Sequence, residues 1–127
     1  MRTAAITRTT RETDITLTLT LDGSGKTSLS TGIGFFDHML DALCRFGQLD
    51  LALTCRGDLH VDAHHTVEDV GICLGRAIRD ALGDRAGIRR AASAYMPMDE
   101  ALAFAALDIS GRPYLVFDAE FAAPMCG

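Results

Sequence analysis

Hydrophobic and polar residues alternate strictly from Ile15 to Leu21. The isoleucine and the three leucines of this stretch lie on one side and its threonines on the other, which predicts a strand with one buried face. A weaker pattern predicts a first strand over residues 3–9. The turn at residues 22–25 is followed by a segment, residues 26–30, that we expect to return as an antiparallel strand.

Two helices and a further strand are predicted downstream. The first helix runs from residue 35 to residue 46. Its apolar face consists of Phe36, Leu40 and Leu43. Its polar cluster consists of Asp37, His38 and Asp41. The strand follows at residues 49–56, where apolar residues occupy every second position. The second helix runs from residue 63 to residue 82, and its buried stripe consists of Val67, Val70, Leu74, Ala77, Ile78, Ala81 and Leu82.

This order of elements predicts an α+β fold. Three strands, a helix, a strand and a helix make a β-β-β-α-β-α half-domain, in which a mixed sheet carries both helices on one face. We expect the first half-domain to cover residues 1–86 and to contain the histidine-rich segments.

A partial repeat follows this half-domain. Leu21–Lys26 and Leu107–Arg112 share four identities and one conserved charge, at an offset of 86 residues. The offset predicts a duplicated fold in which residues 87–127 begin a second, incomplete half-domain with three strands. We therefore expect the sequence to be the first two-thirds of a longer protein. The alternative is a pair of similar hairpins without a duplication.

The start of the second helix carries the main candidates for chemistry. Asp62 is the expected N-cap. His64 and Glu68 lie four residues apart and share a helix face, whereas His65 is rotated from them by about 100°. Adjacent histidines that point in two directions suit two metal ions better than one. Asp69, four residues after His65, is either a further ligand or an acceptor that orients its ring.

A single histidine in this region does not by itself indicate a metal site. One histidine at the start of a helix is most often an ordinary surface residue, and only the combination with a second histidine and a carboxylate favours metal binding. His60 lies where polar residues alternate outward from Asp58 to Asp62, so we expect it to be solvated.

Composition narrows the class of protein. The chain has 127 residues, 48% of them hydrophobic, and a net charge of −5, which indicates one globular domain. It has no basic cluster suited to nucleic acid, no apolar run that could span a membrane and no signal peptide, so we expect a cytoplasmic protein. Its four cysteines show no metal-binding spacing, and we expect reduced, mostly buried thiols at Cys44, Cys55, Cys73 and Cys126.

Several of these segments together resemble the imidazoleglycerol-phosphate dehydratase family of histidine biosynthesis. The most specific are Phe35–Leu40 and Asp62–Asp69, which contain three of the four histidines. The resemblance extends in the right order from residue 8 to about residue 118, and its other segments are Thr10–Thr13, Gly87–Arg90, Met98–Ala101 and Ser110–Tyr114. It does not continue after about Glu120.

The resemblance implies a lyase that converts D-erythro-imidazole-glycerol phosphate to imidazole-acetol phosphate with two Mn²⁺ ions in each site. It implies that His38 and His65 bind one ion and that His64 and Glu68 bind the other. The remaining ligands would come from the second half of the family's fold. It also implies a homo-oligomer, which in the family is a particle of twenty-four chains with sites between subunits.

The resemblance further implies roles in catalysis and in substrate binding. Glu12, His38 and His65 would be catalytic, with Glu12 handling a proton. Glu12 and His38 would also contact the substrate, and Arg90 and Arg112 would bind its phosphate. From the residues alone, both arginines are better explained as solvated loop residues.

Two other functions are consistent with the same residues. One is an inactive metal-binding and assembly fragment that lacks the second-half ligands. The other is an unrelated metal-dependent hydrolase built on His64, His65 and Glu68.

Overall fold

The computed structural model describes residues 1–122. The chain divides into two compact units, residues 1–84 and residues 85–127, each with its own sheet.

The first unit contains four strands and two helices in the expected order. Their bounds are Thr3–Thr9 (β1), Thr13–Thr20 (β2), Thr27–Ser30 (β3), Gly34–Gly47 (α1), Asp50–Gly57 (β4) and His64–Leu82 (α2). The α+β class and the β-β-β-α-β-α order are confirmed, and the predicted bounds are off by at most two residues at either end.

The sheet is mixed, with the strand order β1-β2-β4-β3. β2 pairs antiparallel with both β1 and β4, whereas β3 pairs parallel with β4. The hairpin expected between β2 and β3 is therefore wrong, because β4 lies between them. The Asp50 carboxylate accepts the backbone N–H groups of Ser24 and Lys26 at 2.7 and 2.9 Å, which holds the turn after β2 against β4. α1 then supplies the crossover that a parallel pair requires.

The core lies between the sheet and the two helices. The alternation predicted for β2 and β4 is confirmed, because their inward residues Ile15, Leu17, Leu19, Leu51, Leu53 and Cys55 are all buried. The buried residues of α1 and α2 join the same cluster, so both helices cover one face of the sheet. The other face is polar, and the β2 threonines Thr16 and Thr18 are exposed on it.

The buried face of each helix is rotated slightly from its predicted position. In α1, Cys44 is buried and Leu43 is 49% exposed. In α2, Cys73 is buried and Val67 is 41% exposed, while Leu74 and Ile78 pack at the edge of the core. Smaller side chains at the centre of each face let the helices pack closely against the sheet. Hydrophobicity alone favours the larger neighbouring residues, which explains the error.

The predicted state of the cysteines is confirmed within the described residues. Cys44, Cys55 and Cys73 are free and buried, one each on α1, β4 and α2. Burial raises the pKa of each thiol above its ordinary value. Cys126 lies outside the described residues.

The second unit contains one hairpin, formed by Ala91–Met98 (β5) and Ala101–Asp108 (β6). Every residue of both strands is exposed. An offset of 88 residues maps the register of the first hairpin onto the second, since Thr3 pairs with Thr20 and Ala91 pairs with Asp108. The structural repeat is therefore shifted by two residues from the offset of 86 in the sequence.

The third strand expected in the second unit is not formed in residues 109–122. In the first unit, β3 pairs only with β4 and never with β2. A third strand in the second unit would need a counterpart of β4, and among the described residues the sheet of that unit contains β5 and β6 alone.

In the described part of the chain, neither helix combines the length and the apolar character needed to cross a membrane.

Leu17→Ala should lower the free energy of unfolding by about 3 kcal/mol, because it removes a buried side chain and leaves a cavity in the core. Thr18→Ala is the matched control on the opposite face of β2, and it should change the same quantity by less than about 1 kcal/mol. Urea unfolding followed by circular dichroism measures both variants. Equal losses would contradict this assignment of the two faces.

Candidate functional site

A short loop, residues 58–63, joins the end of β4 to the start of α2. The backbone N–H of Val61 donates to the Asp58 carbonyl at 2.8 Å, which closes a turn at the start of the loop. At its end, the backbone N–H of His64 donates to the Asp62 carboxylate at 2.8 Å. Asp62 was predicted to be the N-cap, but Ala63 occupies that position and α2 begins at His64. Asp62 still satisfies one of the free N–H groups of the first turn.

His64 and Glu68 lie side by side on the outer surface of α2. His64 Nε2 is 3.0 Å from Glu68 Oε2, and the two side chains are 67% and 57% exposed. The expected i, i+4 pairing is therefore present, with both groups accessible to solvent.

His65 points to a different partner from His64. Its Nδ1 is 2.8 Å from Asp58 Oδ2, and the two imidazole planes are inclined at 67° with their centres 5.4 Å apart. The hydrogen bond to Asp58 raises the pKa of His65 above its ordinary value, with further contributions from the negative charges of Asp58, Glu12 and Asp62. The adjacent histidines thus face different carboxylates.

The expectation that Asp69 binds a metal or orients His65 is wrong. Asp69 is 8% exposed and forms an ion pair with Arg8, whose Nη2 lies 2.9 Å from Oδ1. Its Oδ2 accepts a hydrogen bond from the Thr13 hydroxyl. The Thr13 bond and the Arg8 guanidinium hold the pKa of the Asp69 carboxyl below its ordinary value. Asp69 is therefore engaged by β1 and β2 and is not free to approach His65.

Glu12 lies in the turn between β1 and β2, which is built on two threonines. The Thr10 hydroxyl accepts the backbone N–H groups of Glu12 and Thr13 at 3.1 and 3.0 Å. Because Thr13 also donates to Asp69, this turn is tied directly to α2. The charge of Glu12 contributes to the raised pKa of His65, so the turn places the two residues in the same region.

His38 lies on α1 and is exposed. In the described residues it forms no hydrogen bond with the histidines of α2. The polar cluster expected around it is divided between separate partners, because Asp37 accepts from Thr31 and Asp41 accepts from Thr27. Asp41 also pairs with Arg45, so both carboxylates are engaged in holding α1 to the two ends of β3.

The donors at the start of α2 are of a kind that binds a divalent cation. Two imidazoles and a carboxylate are accessible, and the ring of His65 is held through Nδ1, which leaves Nε2 open. Within residues 1–122, however, no three His, Cys, Asp or Glu side chains group closely enough to hold one ion. The described residues therefore fit part of a metal site and need ligands from elsewhere to complete it.

Both predicted phosphate-binding arginines lie beside Asp108 in the second unit. Arg90 forms a bidentate ion pair with it, with Nε and Nη2 at 2.6 and 3.0 Å from the two oxygens. This hydrogen bond and the charges of Arg90 and Arg112 hold the pKa of Asp108 below its ordinary value. Asp108, Ser110 and Arg112 line a cavity of about 730 Å³. Of the two guanidinium groups, only that of Arg112 is without a carboxylate partner among residues 1–122.

The Arg90 ion pair has a counterpart in the first unit. Arg2 forms the same bidentate pair with Asp22, at 3.1 and 2.7 Å, and it lowers the pKa of Asp22 to about 2. Each ion pair closes the open end of a hairpin. Arg90 therefore has a structural role in the second unit, as Arg2 has in the first.

Asp58 is the residue that the sequence pattern missed. Its alternation with His60 and Asp62 predicted an outward side chain, but that side chain is only 15% exposed. Its position in a loop, seven residues before His65, matches no helical or strand spacing. A carboxylate placed directly after a buried strand was the available signal.

A family model described as imidazoleglycerol-phosphate dehydratase matches residues 31–127. The expected end of the resemblance near Glu120 is therefore wrong. Among curated relatives, the protein of that name from Acidiphilium cryptum is 65% identical over 126 residues, which are 99% of this chain and 64% of the relative. The one from Chloroflexus aggregans is 60% identical, over 99% of this chain and 62% of the relative. The chain thus spans just under two-thirds of the length of these relatives.

Solved structures of the same name are similar in fold. The crystal structure of imidazoleglycerol-phosphate dehydratase from Staphylococcus aureus is 33% identical, with a TM-score of 0.86 over 98% of this chain and 68% of that one. The enzyme from Pyrococcus furiosus, crystallised with (S)-C348, is 38% identical, with a TM-score of 0.77 over 91% of this chain and 60% of that one.

Asp69→Asn should lower the free energy of unfolding at pH 7 by roughly 1–3 kcal/mol, because it leaves Arg8 without its buried partner. The lowered pKa of Asp69 means that the folded state binds fewer protons than the unfolded state. Its stabilisation is present above the ordinary carboxyl pKa of about 4 and is lost as the pH falls through the lower folded-state value.

The free energy of unfolding of Asp69→Asn should therefore fall less than that of the parent between neutral and acidic pH. Urea unfolding at a series of pH values measures both proteins. Asp80→Asn, on the exposed side of α2, is the control and should match the parent within about 0.5 kcal/mol. A parent and an Asp69→Asn variant with the same acid dependence would disprove this role.

Proposed function

The chain belongs to the imidazoleglycerol-phosphate dehydratase family, and on that premise we propose that it takes part in the dehydration of D-erythro-imidazole-glycerol phosphate to imidazole-acetol phosphate. The observation that carries the proposal is the group of donors at the start of α2, where His64 and His65 face different carboxylates. We propose that it acts in the cytoplasm, as part of L-histidine biosynthesis.

The proposed cofactor is a pair of Mn²⁺ ions. His64 and Glu68 would hold one ion, since their donor atoms are adjacent and accessible. His65, through its open Nε2, would share the other with His38 of α1. Ligands from outside residues 1–122 would complete both sets. When bound, the ions would act as Lewis acids that favour loss of a proton from the substrate's imidazole ring.

Glu12 is the proposed proton carrier. Its turn is held by Thr10 and, through Thr13, by the buried Asp69 on α2. This connection keeps a carboxylate near His65 without a direct bond between them, as its effect on the pKa of His65 indicates. A carboxylate on this turn would take the proton from the second carbon from the imidazole ring, while the hydroxyl on the carbon attached to the ring leaves as water. The enol that remains becomes the ketone of imidazole-acetol phosphate.

Arg90 and Arg112 are the proposed phosphate ligands. Arg112 is free to bind an anion in its cavity, whereas Arg90 would exchange Asp108 for the phosphate. The planar fork of a guanidinium suits both acceptors equally, so the exchange conserves its two hydrogen bonds.

We further propose that the active form is a homo-oligomer, because the described residues contain no complete ligand set. The second candidate is an inactive assembly module that binds metal with the same residues. The incomplete ligand set among the described residues favours this candidate too.

Mn²⁺ titration by calorimetry, together with turnover of imidazole-glycerol phosphate, tests the proposal on the purified chain. His65→Ala should weaken Mn²⁺ binding by at least about tenfold and abolish turnover, because it removes a ligand. His60→Ala is the matched control, since His60 is an exposed neighbour outside the ligand set, and both properties should match the parent.

The two candidate functions differ in one result. Mn²⁺ binding that depends on His65, in a parent without turnover, would support the assembly module and overturn the dehydratase. A His65→Ala variant that binds Mn²⁺ as tightly as the parent would overturn both.

A further inference from the structure

We propose that Asp58 is a positioning residue that fixes the imidazole of His65 so that Nε2, and not Nδ1, is presented as the ligating atom. The inference rests on the proposed function, in which His65 binds a metal ion.

The proton on the His65 ring is placed by the chemistry of its partner. Asp58 Oδ2 lies 2.8 Å from Nδ1. An ionised carboxylate has no proton to donate, so Nδ1 must carry the hydrogen of this bond. In the neutral ring, Nε2 then holds the free lone pair, which is the form that binds a metal ion.

Burial makes Asp58 the fixed member of the pair. Its side chain is 15% exposed, against 41% for His65. Its other oxygen, Oδ1, is buried without a hydrogen-bond partner in the described residues. The hydrogen bond to His65 is therefore the main compensation for burying this carboxylate, and the pair is costly to separate.

The backbone around Asp58 and His65 is held at both ends of the loop. The Val61 N–H bond to the Asp58 carbonyl fixes the turn directly after β4. Asp62 receives the N–H of His64 and so fixes the first residue of α2. The carboxylate and the ring thus project from two anchored points, and the hydrogen bond between them limits rotation of the imidazole.

Other carboxylates in the region cannot take this role. Asp69, one turn after His65, is bound by Arg8 and Thr13. Glu68 contacts His64 and is exposed, which suits a ligand more than a support. Asp58 lies behind the ring, on the side away from Nε2, so we infer support and not ligation.

The test compares Asp58→Ala and Asp58→Asn with Asp62→Asn as the control. Asp62→Asn removes a neighbouring negative charge but keeps an oxygen that can accept the His64 N–H. The first measurement is made on the metal-free protein, by the ¹⁵N resonances of the imidazole at about pH 9, well above the ordinary pKa of histidine. The His65 signals are assigned by their loss in His65→Ala.

The parent and Asp62→Asn should show His65 with the proton on Nδ1. Asp58→Ala should shift the ring toward the tautomer with the proton on Nε2, and Asp58→Asn should lie between them because an amide oxygen accepts more weakly. Calorimetric Mn²⁺ affinity should fall by about 10- to 100-fold in Asp58→Ala, and by less in Asp58→Asn. Asp62→Asn should remain within about twofold of the parent, since it leaves the His65 ring and its support in place.

Two outcomes would overturn the inference. One is an Asp58→Ala variant that keeps the Nδ1–H tautomer, and the other is Mn²⁺ affinity reduced as much by Asp62→Asn as by Asp58→Ala. If Asp58→Ala fails to fold by circular dichroism, Asp58→Asn decides the question by the same two measurements. A parent that binds no Mn²⁺ would overturn the proposed function, while the tautomer measurement would still test the role of Asp58.

Discussion

The packing of α2 against β1 and β2 is the interaction on which the first unit depends. Val70, Cys73 and Ala77 are fully buried at this contact, and two of them are small enough to bring the helix close to the sheet. Next to them, the buried Asp69 binds Arg8 of β1 and Thr13 of β2. The apolar contact supplies most of the stabilisation, and the ion pair fixes where along the sheet the helix begins. Both candidate histidines of α2 take their positions from that point.

The sequence predicted the faces of the elements better than it predicted their neighbours. Strict alternation in β2 and β4 depends on one sheet face being buried, and it appears directly as a pattern of residues. It carries no information on which strand lies beside which, so the insertion of β4 between β2 and β3 was not predictable. Asp50 stabilises that order, because its carboxylate accepts backbone N–H groups in the turn after β2.

The same limit applies to the candidate site. Helical spacing correctly paired His64 with Glu68, because residues four apart on a helix are neighbours whatever the fold. For His65 it indicated Asp69, which tertiary contacts with Arg8 hold elsewhere. The true partner, Asp58, comes from a loop whose path depends on the position of β4.

The turn motif revealed the repeat, but it did not predict the strand register that relates the two hairpins. In the first hairpin the last backbone hydrogen bond is donated by Leu21, and the carboxylate that pairs with Arg2 comes one residue after it, at Asp22. In the second hairpin the corresponding bond is donated by Ile109, and the carboxylate that pairs with Arg90 comes one residue before it, at Asp108.

The three buried thiols have a consequence for how the first unit responds to its surroundings. One sits on α1, one on β4 and one on α2, and burial keeps each in its unreactive protonated form. Oxidants and alkylating reagents can reach them only when the layer that carries them separates from the rest. Chemical labelling at each sulfur would therefore report local opening of that layer, and the three rates together would rank how firmly each is held.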